Sequence, residues 1–158
     1  MIEFCFTIGM KLIKITILLL SISCTSEKIK EETKLYTNGK IREKYTTKND
    51  IIHGNYQQFY PTGELMSKKT FVNGKEEGKS TSFYETGELK EVQYFKEGKI
   101  HGGDTVYYKN GIKRYTSFFS NNLKDGKFQR WSETDSLEFE SIYKLDSLIE
   151  VINHTKTQ

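Results

Sequence analysis

The sequence has little proline, little cysteine and no strong excess of either charge. One proline stands against twelve glycines in 158 residues, so glycine, which adopts positive φ without strain, must form most of the turns. The only two cysteines, Cys5 and Cys24, lie near the N-terminus, so no disulfide framework is predicted for the rest of the chain. The 24 basic and 21 acidic residues nearly balance, which argues against a nucleic-acid-binding surface.

Apolar residues are also scarce, at 35% of the chain, whereas aromatic residues reach 13%. This aromatic content is too high for a disordered chain, and the frequent glycines would interrupt the helices of a bundle. Aromatic side chains favour pleated surfaces and glycines favour tight turns. The composition therefore predicts short β-strands joined by many turns.

The longest apolar run lies near the N-terminus, where Lys11 and Lys14 precede residues 15–22. This run is shorter than the roughly 20 residues that span a bilayer, and a basic start followed by a short apolar run is typical of a secretory signal. Cys24 follows directly after Ser23, and the segment resembles the lipobox of bacterial lipoproteins, in which cleavage leaves an acylated cysteine as the first residue.

The lipobox resemblance implies a signal peptide over residues 1–23, lipid attachment at Cys24 and a polar linker over residues 24–33. It also implies a cell-envelope protein, anchored by lipid on the periplasmic or surface side of a bacterial membrane. An ordinary signal peptide that happens to contain a cysteine is the alternative. Either Met1 or Met10 can serve as the start.

The rest of the chain repeats a unit of 24 residues. Ten of the twelve glycines fall into three series with this spacing, namely Gly39, Gly63, Gly87 and Gly111; Gly54, Gly78, Gly102 and Gly126; and Gly74 and Gly98. Aromatic residues keep the same step in the pairs Phe59-Tyr60, Phe83-Tyr84 and Tyr107-Tyr108. Such self-similarity is the signature of a repeat architecture.

Each unit is predicted to be a β-hairpin. A run of about six residues ends in an aromatic pair and a turn such as Pro61-Thr62-Gly63-Glu64, and a second run leads to Asn73-Gly74, a strong type I′ hairpin signal. About five units over residues 34–150, followed by a polar tail at 151–158, predict an all-β fold. The expected architecture is an extended single-layer antiparallel β-meander of about ten short strands.

The clearest units, GNYQQFYPTGELMSKKTFVNGKEE and GKSTSFYETGELKEVQYFKEGKIH, resemble the MORN-repeat variant found in bacterial YwqK-type antitoxins. The resemblance implies a twisted sheet whose surface binds a cognate toxin. An exported lipoprotein could not neutralise a toxin in the cytoplasm, so the resemblance and the leader together favour an immunity-like protein or an envelope scaffold.

The sequence offers no recognisable catalytic constellation. His53 and His101 each precede a unit-opening glycine, but they are two units apart and cannot converge on one reacting atom or metal ion. No nucleophile elbow, P-loop or paired-cysteine motif is present in the sequence. We therefore expect a protein that is not an enzyme and needs no cofactor or metal.

The aromatic residues of the repeat are the candidate binding surface. One member of each aromatic pair should point outward. The candidate binding residues are Tyr36, Tyr60, Tyr84, Tyr108 and Trp131. The expected partner is an unidentified protein, a toxin or an envelope component, because tyrosine is favoured at protein interfaces. Two alternatives stay open: the ladder only stabilises the sheet, or it binds envelope glycan or peptidoglycan.

Overall fold

The computed structural model describes residues 27–153, and these residues form β-strands and turns without a helix. The thirteen strands are β1 (Ile29–Leu35), β2 (Ile41–Lys48), β3 (Ile51–Phe59), β4 (Leu65–Val72), β5 (Lys75–Glu76), β6 (Gly78–Phe83), β7 (Leu89–Lys96), β8 (Lys99–Tyr107), β9 (Lys113–Ser120), β10 (Leu123–Lys124), β11 (Gly126–Trp131), β12 (Leu137–Lys144) and β13 (Ser147–Asn153).

All thirteen strands belong to one open antiparallel sheet. Eleven of them follow one another in chain order, and the two-residue strands β5 and β10 pair with β4 and β9 beside this path. A break just before Gly78 separates β5 from β6, and a break just before Gly126 separates β10 from β11, whereas β3 and β8 continue through Gly54 and Gly102. The sheet therefore has more strands than the ten expected. The structure confirms the predicted single-layer β-meander.

The sheet extends beyond the residues 34–150 that the repeat predicted. Strand β1 begins at Ile29, inside the segment assigned to a polar linker, and β13 ends at Asn153, inside the segment assigned to the tail. Charged residues of β1 form ion pairs with the neighbouring strand β2, as shown by the 3.2 Å distance between Lys34 Nζ and Glu43 Oε2. A charged sequence that looks like a solvated spacer therefore forms an edge strand.

The turns have the conformations that the sequence predicts. Asn73 and Gly74 have φ values of 50° and 79°, as a type I′ hairpin turn requires, and Glu97 and Gly98 repeat them at 51° and 79°. All ten glycines of the three 24-residue series have positive φ. The period of the sequence is therefore a period of backbone conformation.

The two faces of the sheet differ in packing. Cross-strand partners share a face, and successive residues of a strand alternate between faces. We call inner the face that carries the partner pairs Tyr45–Tyr56, Gln58–Ser67, Ser82–Glu91, Gln93–Asp104 and Phe128–Ser141. The opposite face is called outer.

Most of the deeply buried residues lie on the inner face, and most are polar. Among the described residues the most buried ones on this face are Thr47, Ser67, Ser80, Asp104, Val106, Ser117 and Ser141. Val106 is the only apolar member of this group. Short side chains become buried in a single layer when the twist of the sheet and longer neighbours enclose them. The molecule thus has a narrow polar interior in place of an apolar core.

Candidate functional site: a polar trough on the inner face

Two aromatic stacks mark the ends of the inner face. Tyr56 contacts Tyr45 and Phe71, with ring centroids 5.6 and 5.5 Å away. Three repeats further on, Phe128 contacts Tyr115 and Phe139, with centroids 6.1 and 6.0 Å away. These pairs lie within the range in which aromatic rings attract each other, so the stacks stabilise the terminal units.

Between the stacks the same repeat position carries small or acidic residues. At 24-residue steps from Tyr56 the chain has Ser80, then Asp104, then Phe128. Tyr56 and Phe128 are separated by six strand spacings, about 29 Å for a spacing of about 4.8 Å. The missing rings leave a polar trough, which we define by Gln58, Ser67, Ser80, Glu91, Gln93 and Asp104.

Part of the trough is a concavity of about 290 Å³ between β3, β4, β6 and β7. Glu91 and Gln93 line it together with Ser80 and Lys69. The Lys69 ammonium is already paired with Glu76 Oε2 at 3.2 Å. The second lysine of the lining, Lys90, has its ammonium 5.9 Å from the centroid of the Tyr84 ring. The concavity therefore offers hydrogen-bonding groups and a carboxylate, while both of its lysines already have contacts.

Asp104 is a buried acid whose carboxylate is incompletely hydrogen-bonded. Its side chain is only 5% exposed, Oδ2 accepts a long 3.3 Å hydrogen bond from Gln93 Nε2, and Oδ1 has no hydrogen-bond partner within the described chain. Burial raises the pKa of the Asp104 carboxyl, and burial together with the charge of Asp104 raises the pKa of Glu91. The trough is thus a partly desolvated negative site, in which Lys90 and Lys69 partly offset the charge of Glu91 and no cation among the described residues offsets that of Asp104.

The sequence prediction did not select these two acids. The first unit also carries acids at these two inner-face positions, Glu32 and Glu43, whereas Ser80 and Phe128 flank Asp104 in its 24-residue series. Ser67 and Tyr115 flank Glu91 in its 24-residue series. A comparison of units position by position therefore does not single them out, and their burial is visible only in the folded sheet.

The predicted ladder tyrosines have a common structural role. The hydroxyl of each donates a hydrogen bond to the carbonyl oxygen of the residue 23 positions later, with Tyr36 to Phe59 at 2.7 Å, Tyr60 to Phe83 at 2.9 Å, Tyr84 to Tyr107 at 2.7 Å and Tyr108 to Trp131 at 3.0 Å. All four are partly buried, and so is Trp131. Their hydroxyl groups link successive units, which leaves only parts of their rings for a partner.

Cations cover part of these rings. The ammonium groups of Lys90 and Lys109 lie 5.9 and 5.7 Å from the centroid of the Tyr84 ring, and that of Lys113 lies 5.8 Å from the Trp131 ring. Such contacts stabilise an exposed aromatic surface by about 0.5–1 kcal/mol each. The ladder as a binding surface stays a prediction.

The other predicted features have separate locations. His53 Nδ1 lies 3.3 Å from Asn73 Oδ1 on the outer face, and His101 is exposed. Within residues 27–153 no group of three or more histidine, cysteine or acidic residues could hold a metal ion. In the same range no helix is long and apolar enough to cross a membrane. Cys24 and the predicted signal segment lie outside the described residues.

Comparison with known families identifies the repeat. Residues 28–49, 52–73 and 76–100 match the MORN repeat variant family, so three of the 24-residue units carry its pattern. No curated protein matches the chain. The matched segments run from the start of β1 into β8, and the following turns keep the same backbone geometry. A MORN repeat array indicates a repeat-based binding module.

Proposed function

We propose that this chain is a non-catalytic protein-binding module whose trough binds a cationic segment of a partner protein. The observation that carries the proposal is Asp104, a carboxyl that is 5% exposed and has one oxygen without a partner. A buried carboxyl without a compensating cation costs folding free energy, and a partner's ammonium or guanidinium group would supply that compensation.

Glu91 is the contact residue in this proposal. It lines the concavity, whereas Asp104 lies on the neighbouring strand opposite Gln93 and adds negative potential at Glu91. A lysine or arginine entering the concavity would meet the Glu91 carboxylate and the amide of Gln93. Charge-assisted hydrogen bonds in such a partly desolvated site are about twice as strong as neutral ones.

The location of the partner follows from the leader. If Cys24 carries acyl chains, the sheet faces the periplasm or the cell exterior, and its partner is an envelope protein or a secreted toxin. In the latter case the protein acts as an antitoxin-like immunity protein by stoichiometric binding. The MORN-type sheet supports the binding part of this proposal, and the residues around Cys24 support the tether.

The tether predicts a localisation change. Cys24→Ala should release the protein from the membrane fraction, because two or more acyl chains anchor stably at about 0.8 kcal/mol per buried methylene. The measurement is membrane fractionation together with incorporation of radiolabelled palmitate, and Cys5→Ala is the matched control. A Cys24→Ala protein that stays membrane-bound would contradict the lipid anchor.

The binding proposal is tested with the full chain immobilised and exposed to envelope extract. We expect it to retain one protein at fixed stoichiometry, with retention that falls as salt screens the charges. The double variant Glu91→Gln, Asp104→Asn should weaken this retention about tenfold or more, as expected when a desolvated ion pair is lost.

The control removes the same charge elsewhere. Glu31 and Glu138 have side chains that are 73% and 47% exposed, and Glu31→Gln, Glu138→Gln changes the net charge equally. This control should bind as the unmodified chain does. Equal retention by the trough variant and the control would refute the proposal.

A further inference from the structure

Gly103 is the one described glycine that the backbone does not require. The other ten described glycines have positive φ, whereas Gly103 does not, and a Cβ atom placed on it would meet nothing within 4 Å. The same repeat position holds Asn55, Lys79 and Lys127 in other units. At Gly103 the outer face therefore lacks the polar side chain that other units carry, although the backbone conformation there does not require glycine.

The missing side chain leaves a depression of about 500 Å³ on the outer face, between β8, β9 and β11. Phe118, the cross-strand partner of Gly103, stands in it with 55% of its surface exposed. Next to this pair, Thr105 is the partner of Thr116, and Thr116 is the partner of Gln129. The depression thus combines an exposed aromatic ring with a row of two hydroxyls and an amide.

The row spans two strand spacings, about 10 Å, and its polar end is held in place. Glu140 is 7% exposed and accepts hydrogen bonds from Gln129 Nε2 at 2.6 Å and Lys127 Nζ at 2.8 Å. The amide of Gln129 is therefore pre-oriented, and Lys127 is already neutralised by an acid.

We propose that this depression is a binding site for a neutral oligosaccharide, separate from the trough. A sugar ring presents an apolar C–H face, which suits the flat Phe118 ring, and a rim of hydroxyls, which suits the threonine hydroxyls and the amide. An anionic ligand would need an unpaired cation in the depression, but Lys127 is engaged. A purely apolar ligand would cover the Thr105 and Thr116 hydroxyls without offering them a hydrogen bond, which costs free energy.

The test is a calorimetric titration of the full chain with chitotetraose and cellotetraose, two neutral oligosaccharides that separate amino-sugar from plain-hexose recognition. At least one should bind. Gly103→Asn restores the residue type of Asn55 and fills the depression without strain, and it should weaken binding about tenfold, as should Phe118→Ala. Both variants should keep the circular dichroism spectrum of the unmodified chain.

The matched control is Tyr94→Ala. Tyr94 occupies the position of Phe118 one unit earlier and is 44% exposed, but its cross-strand partner is Lys79, not a glycine. Tyr94→Ala and the trough variant Glu91→Gln, Asp104→Asn should both bind the sugar as the unmodified chain does. The proposal is overturned if no oligosaccharide binds, if Gly103→Asn binds unchanged, or if Tyr94→Ala loses as much affinity as Phe118→Ala.

Discussion

Replacement of Tyr84 by alanine is expected to lower the free energy of unfolding by about 2–3 kcal/mol, less than the roughly 3–5 kcal/mol of a fully buried aromatic residue because this ring is only partly buried. The substitution removes the 2.7 Å hydrogen bond to the Tyr107 carbonyl, the ring that Lys90 and Lys109 cover, and the packing between two central units. In a linear array each unit is stabilised by its neighbours, so the two halves should also become less cooperative.

The measurement is urea unfolding followed with two probes. Trp131 is the single tryptophan and reports on the C-terminal units, whereas circular dichroism reports on the whole sheet. The two transitions should coincide for the unmodified chain and separate for Tyr84→Ala. Tyr84→Phe is the control, and it should cost only about 1 kcal/mol because it removes the hydrogen bond alone. Equal losses for both variants would show that ring packing contributes nothing.

Replacement of Asp104 by serine is expected to raise the free energy of unfolding by about 1–2 kcal/mol at pH 7, the usual cost of a buried polar group that is poorly paired. Serine fits because Ser80 fills the same position one unit earlier and is itself buried. Residues that bind a partner often destabilise the fold, because function and stability place different demands on the same side chain.

The pH dependence identifies the cause. Burial raises the pKa of Asp104 above its unfolded value, so the contribution of this carboxyl to stability is greatest below about pH 4 and is lost as the pH rises through the raised pKa. The advantage of Asp104→Ser should therefore be full at pH 7 and shrink on acidification toward pH 4. Glu31→Ser, at an exposed position, should change little at either pH. A variant less stable than the unmodified chain at pH 7 would contradict this account.

Much of the fold could be predicted because turns are local. A type I′ turn needs two positive φ values, and the dipeptide Asn73-Gly74 predicts them because both residue types tolerate this conformation. The limits of the sheet could not be predicted in this way. Residues 29–35 include four charged residues and have apolar residues only at their two ends, and only their pairing with β2 shows that they form a strand.

The candidate sites were harder to predict because they depend on burial and on distant neighbours. Serine usually indicates a loop or an exposed position, yet Ser67, Ser80 and Ser117 line the interior of this sheet. The ladder tyrosines could be selected from their spacing, but the acceptors of their hydroxyl groups lie 23 residues away. Gly103 could be recognised as the one glycine of the repeat region outside the 24-residue series, and the meaning of that signal depends on its cross-strand partner Phe118.

The tyrosine hydrogen bonds give the sheet a direction. Each ladder hydroxyl reaches forward to the next unit and never backward, and the series stops at Ser132, whose Oγ accepts hydrogen bonds from its own turn at Thr134 N and Ser136 N. A unit duplicated between two ladder tyrosines would supply a donor and an acceptor at both new junctions. A unit added after Ser132 would begin without this bond. The hydrogen bonds between units therefore allow the array to lengthen by internal duplication, whereas the series of these bonds ends at Ser132 on the C-terminal side.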